Sequence, residues 1–329
     1  MGCQAPPCNY VTAKWPQPSP SLYYLYDVRR WHLDYFLIPP TVITLATLVV
    51  NCVLLTCIFL SRALRRETRY LLVANTLAAD TLYLVLNLST AVCNAVRAAV
   101  PWLACELLTA LTVTAASCAI FTVTLMVVDT YAAVRWPLRY HDVLPPARTH
   151  CILLGAWALA AAYPFTLVIT MEAQRDNPHE KVPLCLVLIS LGFIQIQNTM
   201  AIHIYFLVAA FTCTLLIFYC YVRLYMVTKT QGIWQSRYSR ARVTLRAHAV
   251  LLLLYFAPGF VFSLELSMFH RADIDQDVLV WLSTANMCLF MMLPRACAPY
   301  LYGLRYREIS DSVIQLLHVK RRLGQITVS

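Results

Sequence analysis

Charged residues and glycines are scarce in this chain of 329 residues. Only 13% of its residues are charged and 60% are hydrophobic, with a mean hydropathy of +0.62, which excludes an ordinary soluble domain. Seven glycines are too few for a compact water-soluble fold full of tight turns. The 17 prolines, several of them inside apolar runs, suit membrane helices whose neighbours satisfy broken backbone bonds. The composition therefore predicts a membrane protein.

Several chemical signatures are also missing from the sequence. The eight histidines form no H-x-x-x-H or Cys/His ligand spacing, so we expect no metal, no cofactor and no enzymatic activity. No nucleic-acid module is visible, and the net charge of +10 is concentrated at the ends of apolar runs. Membrane topology and anionic lipid of the inner leaflet explain this charge better than nucleic acid does.

Long apolar runs are what the sequence does contain. A bilayer core of about 30 Å needs about 20 mostly apolar residues for each spanning helix. Seven runs qualify, and we refer to them in order as the first to the seventh span: 36–60, 71–96, 105–134, 151–170, 199–228, 243–269 and 278–303. The predicted fold class is an all-α membrane protein, a seven-transmembrane helix bundle.

The distribution of lysine and arginine predicts the orientation of the bundle. Eighteen of the 26 fall in the loops after the first, third and fifth spans and in the tail, where positive charge marks the cytoplasm. Residues 1–35 should therefore be an extracellular N-terminal segment, 36–303 the membrane domain and 304–329 a cytoplasmic helix and tail. Because residues 1–35 have no apolar signal-peptide core, we expect the first span to direct insertion.

Five of the 13 cysteines should face the outside, where disulfides persist. Cys105 opens the third span and Cys185 lies in the long loop before the fifth, so a bridge between them would pin that loop over the mouth of the bundle. Cys3 and Cys8 are a further candidate pair. Since five cysteines cannot all be paired, one of the set that includes Cys93 stays free.

The spans carry a set of residues in a characteristic order and spacing. These are Asn51, Asn75 and Asp80 of "NTLAAD", Cys105 placed 25 residues before Thr130, Trp157, Pro164, "YFAP" at Tyr255–Pro258 and "APYLY" at Ala298–Tyr302. Together they resemble the rhodopsin-like G-protein-coupled receptors over roughly residues 36–309. "MVVDTYAAVRWPLRY" and "GLRYREI" resemble motifs of the odorant-receptor branch, while "QGIWQSRYSRAR" and "MMLPRA" are similar to a small orphan subgroup.

The resemblance implies a plasma-membrane receptor that passes the binding of an extracellular ligand to a heterotrimeric G protein. One departure lies at the inner mouth, where Thr130 stands in place of the arginine that pairs with the preceding aspartate at rest. Asp129 is then solvated, or accepts a hydrogen bond from Tyr140 or from a loop arginine such as Arg139. The residues that the resemblance assigns to coupling are Asp129, Thr130, Tyr131, Leu138, Tyr221, Arg242, Arg246 and Tyr302.

A second departure lies at mid-membrane, around Asp80. In the family, the matching aspartate binds a sodium ion together with hydroxyl and amide groups of other residues, which we call the helper positions. The matching helper positions are Ala119, Pro294, Arg295 and Ala298. An isolated charge at that depth costs about 2.5–3.5 kcal/mol, so we expect Asp80 and Arg295 to neutralise each other in an internal ion pair that replaces sodium. The alternative is that Arg295 extends its guanidinium to water at the inner mouth.

The resemblance also implies a pocket in the outer half of the bundle. Thr112 occupies the position of the aspartate of amine receptors, so a non-amine ligand is expected. The wall is mainly apolar, as in small-molecule sites, but a packed core would have the same composition. The candidate pocket residues are Thr112, Val113, Ala116, His203, Phe206, Phe256, Phe260, Ser263, Cys288 and Met292.

Three other functions compete with a signalling receptor. A retinal protein needs a lysine in the seventh span, and 278–303 contains none, with Met292 at the matching position. A transporter or channel commonly shows an internal repeat, which is not visible here. A non-signalling receptor-like protein, acting as a partner, scaffold or ligand sink, fits the changes at Thr130, Phe256 and Ala298, because these replace three switch positions together.

Overall fold

The computed structural model describes residues 30–96, 100–136, 140, 145–173, 181–182, 185, 196–230, 249–250, 253–255, 257, 260–261, 286 and 291–305. Long helices dominate these segments: Arg30–Leu60, Thr68–Val96, Trp102–Arg135, Pro146–Ala173, Ile196–Thr230 and Leu293–Arg305. Most of the predicted sixth span and the first part of the seventh lie outside the described residues. The helical bundle agrees with the predicted fold class.

Within the described segments, four helices are long and apolar enough to cross a membrane: Pro40–Leu60, Thr68–Asn94, Trp102–Arg135 and Ala147–Ala173. The helices of the first five spans extend several residues beyond the predicted apolar runs at one end or both. A hydropathy run marks the hydrocarbon layer, whereas the helix continues through the interface until its backbone groups find water or a turn. The ends of these five helices therefore differ from the ends of the predicted apolar runs, although each helix contains its predicted span.

Two structural details lie outside the all-helical expectation. A short 3-10 helix, Leu64–Arg66, turns the chain between the first and second spans and buries Leu64. Val100–Pro101 and Lys181–Val182 form a two-stranded antiparallel sheet, with Val100 opposite Val182 and Pro101 opposite Lys181. This sheet holds the loop after the fourth span against the start of the third-span helix.

The third-span helix is the centre of the bundle and packs against the helices of the second, fourth and fifth spans. Small side chains make its contact surface, since Ala110, Ala115, Cys118 and Ala119 are all fully buried. Small residues let helix backbones approach closely, and this is the main source of helix association where lipid removes the hydrophobic driving force. Larger side chains such as Leu77 complete the core.

Several polar side chains in the apolar spans form hydrogen bonds with the helix backbone or with one another. Thr76, Thr114 and Thr122 each donate to the carbonyl oxygen four residues earlier, which lets a hydroxyl lie in an apolar span without exposing an unsatisfied group. Asn75 donates to Thr122 at 2.8 Å and accepts from the Trp157 indole at 2.9 Å. This chain of hydrogen bonds connects the second, third and fourth spans.

Candidate functional sites in the helix bundle

The two charged residues that the sequence places at mid-membrane lie next to each other. Asp80 is fully buried and Arg295 is 3% exposed, and the Arg295 Nε atom is 3.6 Å from Asp80 Oδ1. This separation exceeds a hydrogen bond but lies well within the range in which opposite charges interact strongly. The guanidinium points into the bundle rather than towards water at the inner mouth.

Each member of this pair has a second polar partner. The Tyr255 hydroxyl donates to Asp80 Oδ2 at 2.5 Å, and Arg295 Nη1 donates to the carbonyl oxygen of Met291, one helical turn earlier. Tyr255 belongs to the sixth span, Asp80 to the second and Arg295 to the seventh. Their contacts therefore join three spans around one buried charge pair.

Aromatic rings enclose the guanidinium of Arg295. Its central carbon lies 3.5 Å from the centroid of the Tyr83 ring and 5.9 Å from that of Tyr255, distances at which a cation is attracted to the ring face. Tyr83 follows Asp80 by three residues and so lies on the same helix face. That spacing is the sequence signal that could have found Tyr83, which sequence reasoning missed.

These surroundings do not fit a sodium ion beside Asp80, the ion that the predicted pair was expected to replace. A hard cation needs several oxygen ligands, but one carboxylate oxygen of Asp80 accepts from Tyr255 and the other faces the guanidinium. Ala119 and Ala298, at two helper positions, are fully buried and have no side-chain oxygen. Among the described residues, no cluster of three or more His, Cys, Asp or Glu could hold a metal.

At the inner mouth, Thr130 and Asp129 point to different partners. The Thr130 hydroxyl donates to the Met126 carbonyl at 2.7 Å within its own helix. Asp129 is 8% exposed and accepts a 2.6 Å hydrogen bond from the Tyr140 hydroxyl. Of the alternatives left open by the sequence, the structure therefore shows the Tyr140 contact rather than a solvated carboxylate.

Tyr140 lies in the loop outside the membrane spans, and its pKa is raised above the ordinary value of 10. Burial is the largest cause, followed by the hydrogen bond to Asp129 and the negative charge of that residue. All three effects favour the protonated phenol, which is the form that donates to the carboxylate. The contact is thus in its hydrogen-bonding state throughout the physiological pH range.

The other residues predicted for coupling are only partly described. The Tyr131 ring packs edge-on against Trp136 and Tyr219, with centroid distances of 6.1 and 6.4 Å. Tyr221 is half-buried on the fifth-span helix, and Tyr302 is buried on the seventh. The remaining predicted residues, Leu138, Arg242 and Arg246, lie outside the described part of the chain.

The outer mouth contains the predicted disulfide between Cys105 and Cys185. Asn94, on the second-span helix, also binds the loop at this point, because its Nδ2 donates to the Cys185 carbonyl at 2.9 Å and its Oδ1 accepts from the Cys185 amide at 2.8 Å. The loop is therefore held to the third span by a covalent bond and to the second by two hydrogen bonds. Cys3 and Cys8 fall outside the described residues.

The candidate pocket residues occupy different environments. Thr112 and Met292 are buried, Val113 and Ala116 are half-buried, and Phe260 is 68% exposed. The Thr112 hydroxyl donates to the Leu108 carbonyl at 2.7 Å, and the Met292 sulfur lies 4.0 Å from the Thr44 hydroxyl of the first span. The side chains of His203, Phe206, Phe256, Ser263 and Cys288 are not among those described.

Glu106 is a further buried carboxylate, and sequence reasoning did not single it out. It follows Cys105 at the outer end of the third span, is fully buried and accepts a hydrogen bond from the Trp102 indole one turn earlier. The four-residue spacing of Trp102 and Glu106 is the signal that could have found this contact. It orders the first turn of the helix directly beside the disulfide.

The family model of the 7 transmembrane receptor (rhodopsin family) matches residues 50–297. The chain therefore belongs to the rhodopsin family of seven-transmembrane receptors, which are multi-pass proteins of the plasma membrane and not enzymes. It is 33% identical over 347 aligned positions to the probable G-protein coupled receptor 148 of Homo sapiens, covering 100% of both chains.

Two further relatives share less of the sequence. The histamine H2 receptor of Canis lupus familiaris is 24% identical, with 85% of this chain and 78% of that receptor aligned. The histamine H2 receptor of Cavia porcellus is 23% identical, with 84% and 77% aligned. The similarity is thus spread over the whole bundle rather than confined to one motif.

Proposed function

We propose that this chain passes the binding of an extracellular ligand to a heterotrimeric G protein through an inner mouth that works without the usual arginine. In this proposal the N-terminus is extracellular and the C-terminus cytoplasmic, as the distribution of lysine and arginine predicts. Family membership supports a receptor, and the geometry of Asp129, Thr130 and Tyr140 supports the unusual mouth.

The hydrogen bond from Tyr140 to Asp129 carries the proposal. It gives the buried Asp129 carboxylate a hydrogen-bond partner in the absence of the arginine that would otherwise neutralise it. The local structure of the inner mouth is thereby stabilised. Thr130 has one short hydroxyl, already donated to its own helix, and cannot supply the planar charged fork of arginine. We therefore expect coupling that persists but is weaker, because one charge-assisted contact is missing.

The remaining parts of the mouth support coupling by packing and charge. Tyr131, Tyr221 and Tyr302 provide aromatic walls, and Leu138 provides an apolar loop contact. Arg242 and Arg246 lie four residues apart at the start of the predicted sixth span, a spacing that would put them on one face of a helix and offer positive charge to acidic or carbonyl groups of the G protein. Anionic lipid of the inner leaflet is a further proposed partner of the arginine-rich loop ends.

The ligand is proposed to be a small molecule that is not an amine. A protonated amine needs a carboxylate partner at the position of Thr112, whose hydroxyl instead donates to the helix backbone. The amine ligand indicated by the names of the two histamine receptors is therefore not proposed for this chain. The loop held by the disulfide and by Asn94 would cover the proposed pocket from outside, which suits an uncharged or apolar ligand.

Restoring the arginine tests the proposal. Cells expressing the native chain, Thr130→Arg or the matched control Thr130→Val are compared for basal G-protein activation per receptor at the surface. Valine keeps the size of threonine and adds no charge, so it should behave like the native chain, whereas Thr130→Arg should activate several-fold more strongly. Equal activation by the native chain and Thr130→Arg would contradict the proposed role of Thr130.

A non-signalling receptor-like protein is the second candidate. The observation that favours it is the position of the Thr130 hydroxyl, which is bound within its own helix and so adds no charged group to the mouth. The same assay separates the two candidates. A native chain with no activation above untransfected cells, beside an active Thr130→Arg variant, would favour the non-signalling protein.

A further inference from the structure

A buried charge at mid-membrane has to be compensated within the protein. Asp80 is fully buried, and a carboxylate moved from water into a low-dielectric interior is strongly destabilising unless an opposite charge and hydrogen bonds surround it. Arg295 supplies the opposite charge at 3.6 Å, and Tyr255 supplies the hydrogen bond. The carboxylate is thus compensated by groups of the chain itself.

The guanidinium is held in place by contacts that a free ion could not make. It stacks on the Tyr83 ring and donates to the Met291 carbonyl. Stacking requires the planar, permanently charged group of arginine, which lysine does not provide. These contacts fix the position of the charge next to Asp80 in the folded protein.

A second cation beside Asp80 would meet the positive charge of Arg295 at close range. It would also find one carboxylate oxygen engaged by Tyr255 and alanines at Ala119 and Ala298 in place of oxygen-bearing helpers. The repulsion and the shortage of oxygen ligands both disfavour binding of the second cation. An independent monovalent cation is therefore excluded by both charge and chemistry.

We propose that Arg295 is a built-in counter-ion which makes the bundle independent of sodium. The inference concerns the folded bundle and does not rest on the proposed coupling. Its tests need no G protein, so its failure and the failure of the proposed function are distinguishable.

Thermal unfolding in sodium chloride and in choline chloride of equal concentration tests the proposal. Purified full-length chain in lipid nanodiscs should unfold at the same temperature in both salts, because choline is too large for such a site and sodium finds none. The variant Arg295→Gln, which keeps an amide oxygen but no charge, should unfold at a lower temperature by the same amount in both salts, because the alanines at Ala119 and Ala298 leave sodium too few oxygen ligands. A sodium-specific rise in the unfolding temperature of the native chain would overturn the proposal.

A double-mutant comparison of surface expression tests the pair even if a single variant folds poorly. Asp80→Asn and Arg295→Gln should each reduce surface receptor several-fold, because each leaves an uncompensated buried charge, while the double variant should recover to within about twofold of the native chain. A double variant no better than the worse single variant would overturn the proposal.

The exposed ion pair between Glu67 and Arg69 is the matched control for this comparison. Its charged atoms lie 3.3 Å apart, with the side chains 34% and 47% exposed. Exposed pairs contribute little to stability, so Arg69→Gln should leave the amount of surface receptor unchanged. A loss in this control as large as in Arg295→Gln would also overturn the proposal, because burial would then not explain the effect.

Discussion

Replacing Tyr255 with phenylalanine removes a single oxygen atom from the centre of the bundle. That oxygen donates to Asp80 Oδ2 at 2.5 Å, and the Tyr255 side chain is 3% exposed. The ring itself is kept, so the variant changes a hydrogen bond without opening a large cavity. The loss in stability therefore reports on the bond to Asp80.

The size of the loss depends on the charge state of Asp80. A hydrogen bond to a charged group contributes about 1.5–3 kcal/mol, whereas side-chain hydrogen bonds between membrane helices average about 0.6 kcal/mol. Because Arg295 lies 3.6 Å from Asp80 and favours the ionised carboxylate, the upper range applies. We expect Tyr255→Phe to lower the free energy of unfolding by about 1.5–3 kcal/mol.

Denaturant titration in mixed lipid–detergent micelles, followed by tryptophan fluorescence, measures this free energy. Tyr300→Phe is the matched control, because Tyr300 lies on the seventh-span helix and is 60% exposed; we expect less than about 0.5 kcal/mol there. In an Asp80→Asn background, Tyr255→Phe should cost only about 0.6 kcal/mol, because the acceptor is then neutral.

Two results would refute the reasoning. A loss near 0.6 kcal/mol in the otherwise native chain, the average for neutral pairs, would mean that the acceptor is not charged. An equal loss in the native and Asp80→Asn backgrounds would mean that Tyr255 stabilises the protein through something other than Asp80. Either outcome would contradict a stabilising hydrogen bond from Tyr255 to an ionised Asp80.

Two further predictions concern the ends of the bundle. Asn94→Ala should destabilise the protein by about 1–3 kcal/mol, because the buried amide and carbonyl of Cys185 lose both partners. Asn94→Asp keeps only an acceptor, so its loss of stability should lie between those of the native chain and Asn94→Ala. Thermal unfolding with the disulfide intact measures both variants. Tyr140→Phe should lower stability by a similar amount, equally at pH 6 and pH 9 in a denaturant titration. The folded pKa of Tyr140 is raised above 10, so this contribution is fully present below pH 10 and declines only as the pH rises above it.

The membrane makes much of this fold predictable. Helices are the only way to satisfy the backbone of these apolar runs without a closed barrel, so run length alone indicates where the spans lie. The same solvent makes ionisable side chains rare. When a span contains a single aspartate such as Asp80 and another a single arginine such as Arg295, few alternative partners remain.

Contacts made by ordinary-looking residues could not be predicted in the same way. Tyr255 and Asn94 resemble many other polar residues in the spans, and nothing in their spacing identifies Asp80 or Cys185 as partners distant in the chain. The partner of Asp129 depends on the path of the loop that carries Tyr140. Loop conformations are set by local turns and tertiary contacts rather than by the bilayer.

Asp80 on the second span and Asp129 on the third indicate where the bundle is restrained. Asp129 is held by a neutral phenol from a loop, whereas Asp80 is held by a guanidinium and a tyrosine from two other spans. Breaking a charge pair inside the bundle costs more than breaking a hydrogen bond at its edge, because little water reaches the buried site to compensate for the loss. We therefore expect the buried contacts of Arg295 and Tyr255 to oppose helix movement more strongly than the contact between Tyr140 and Asp129 does.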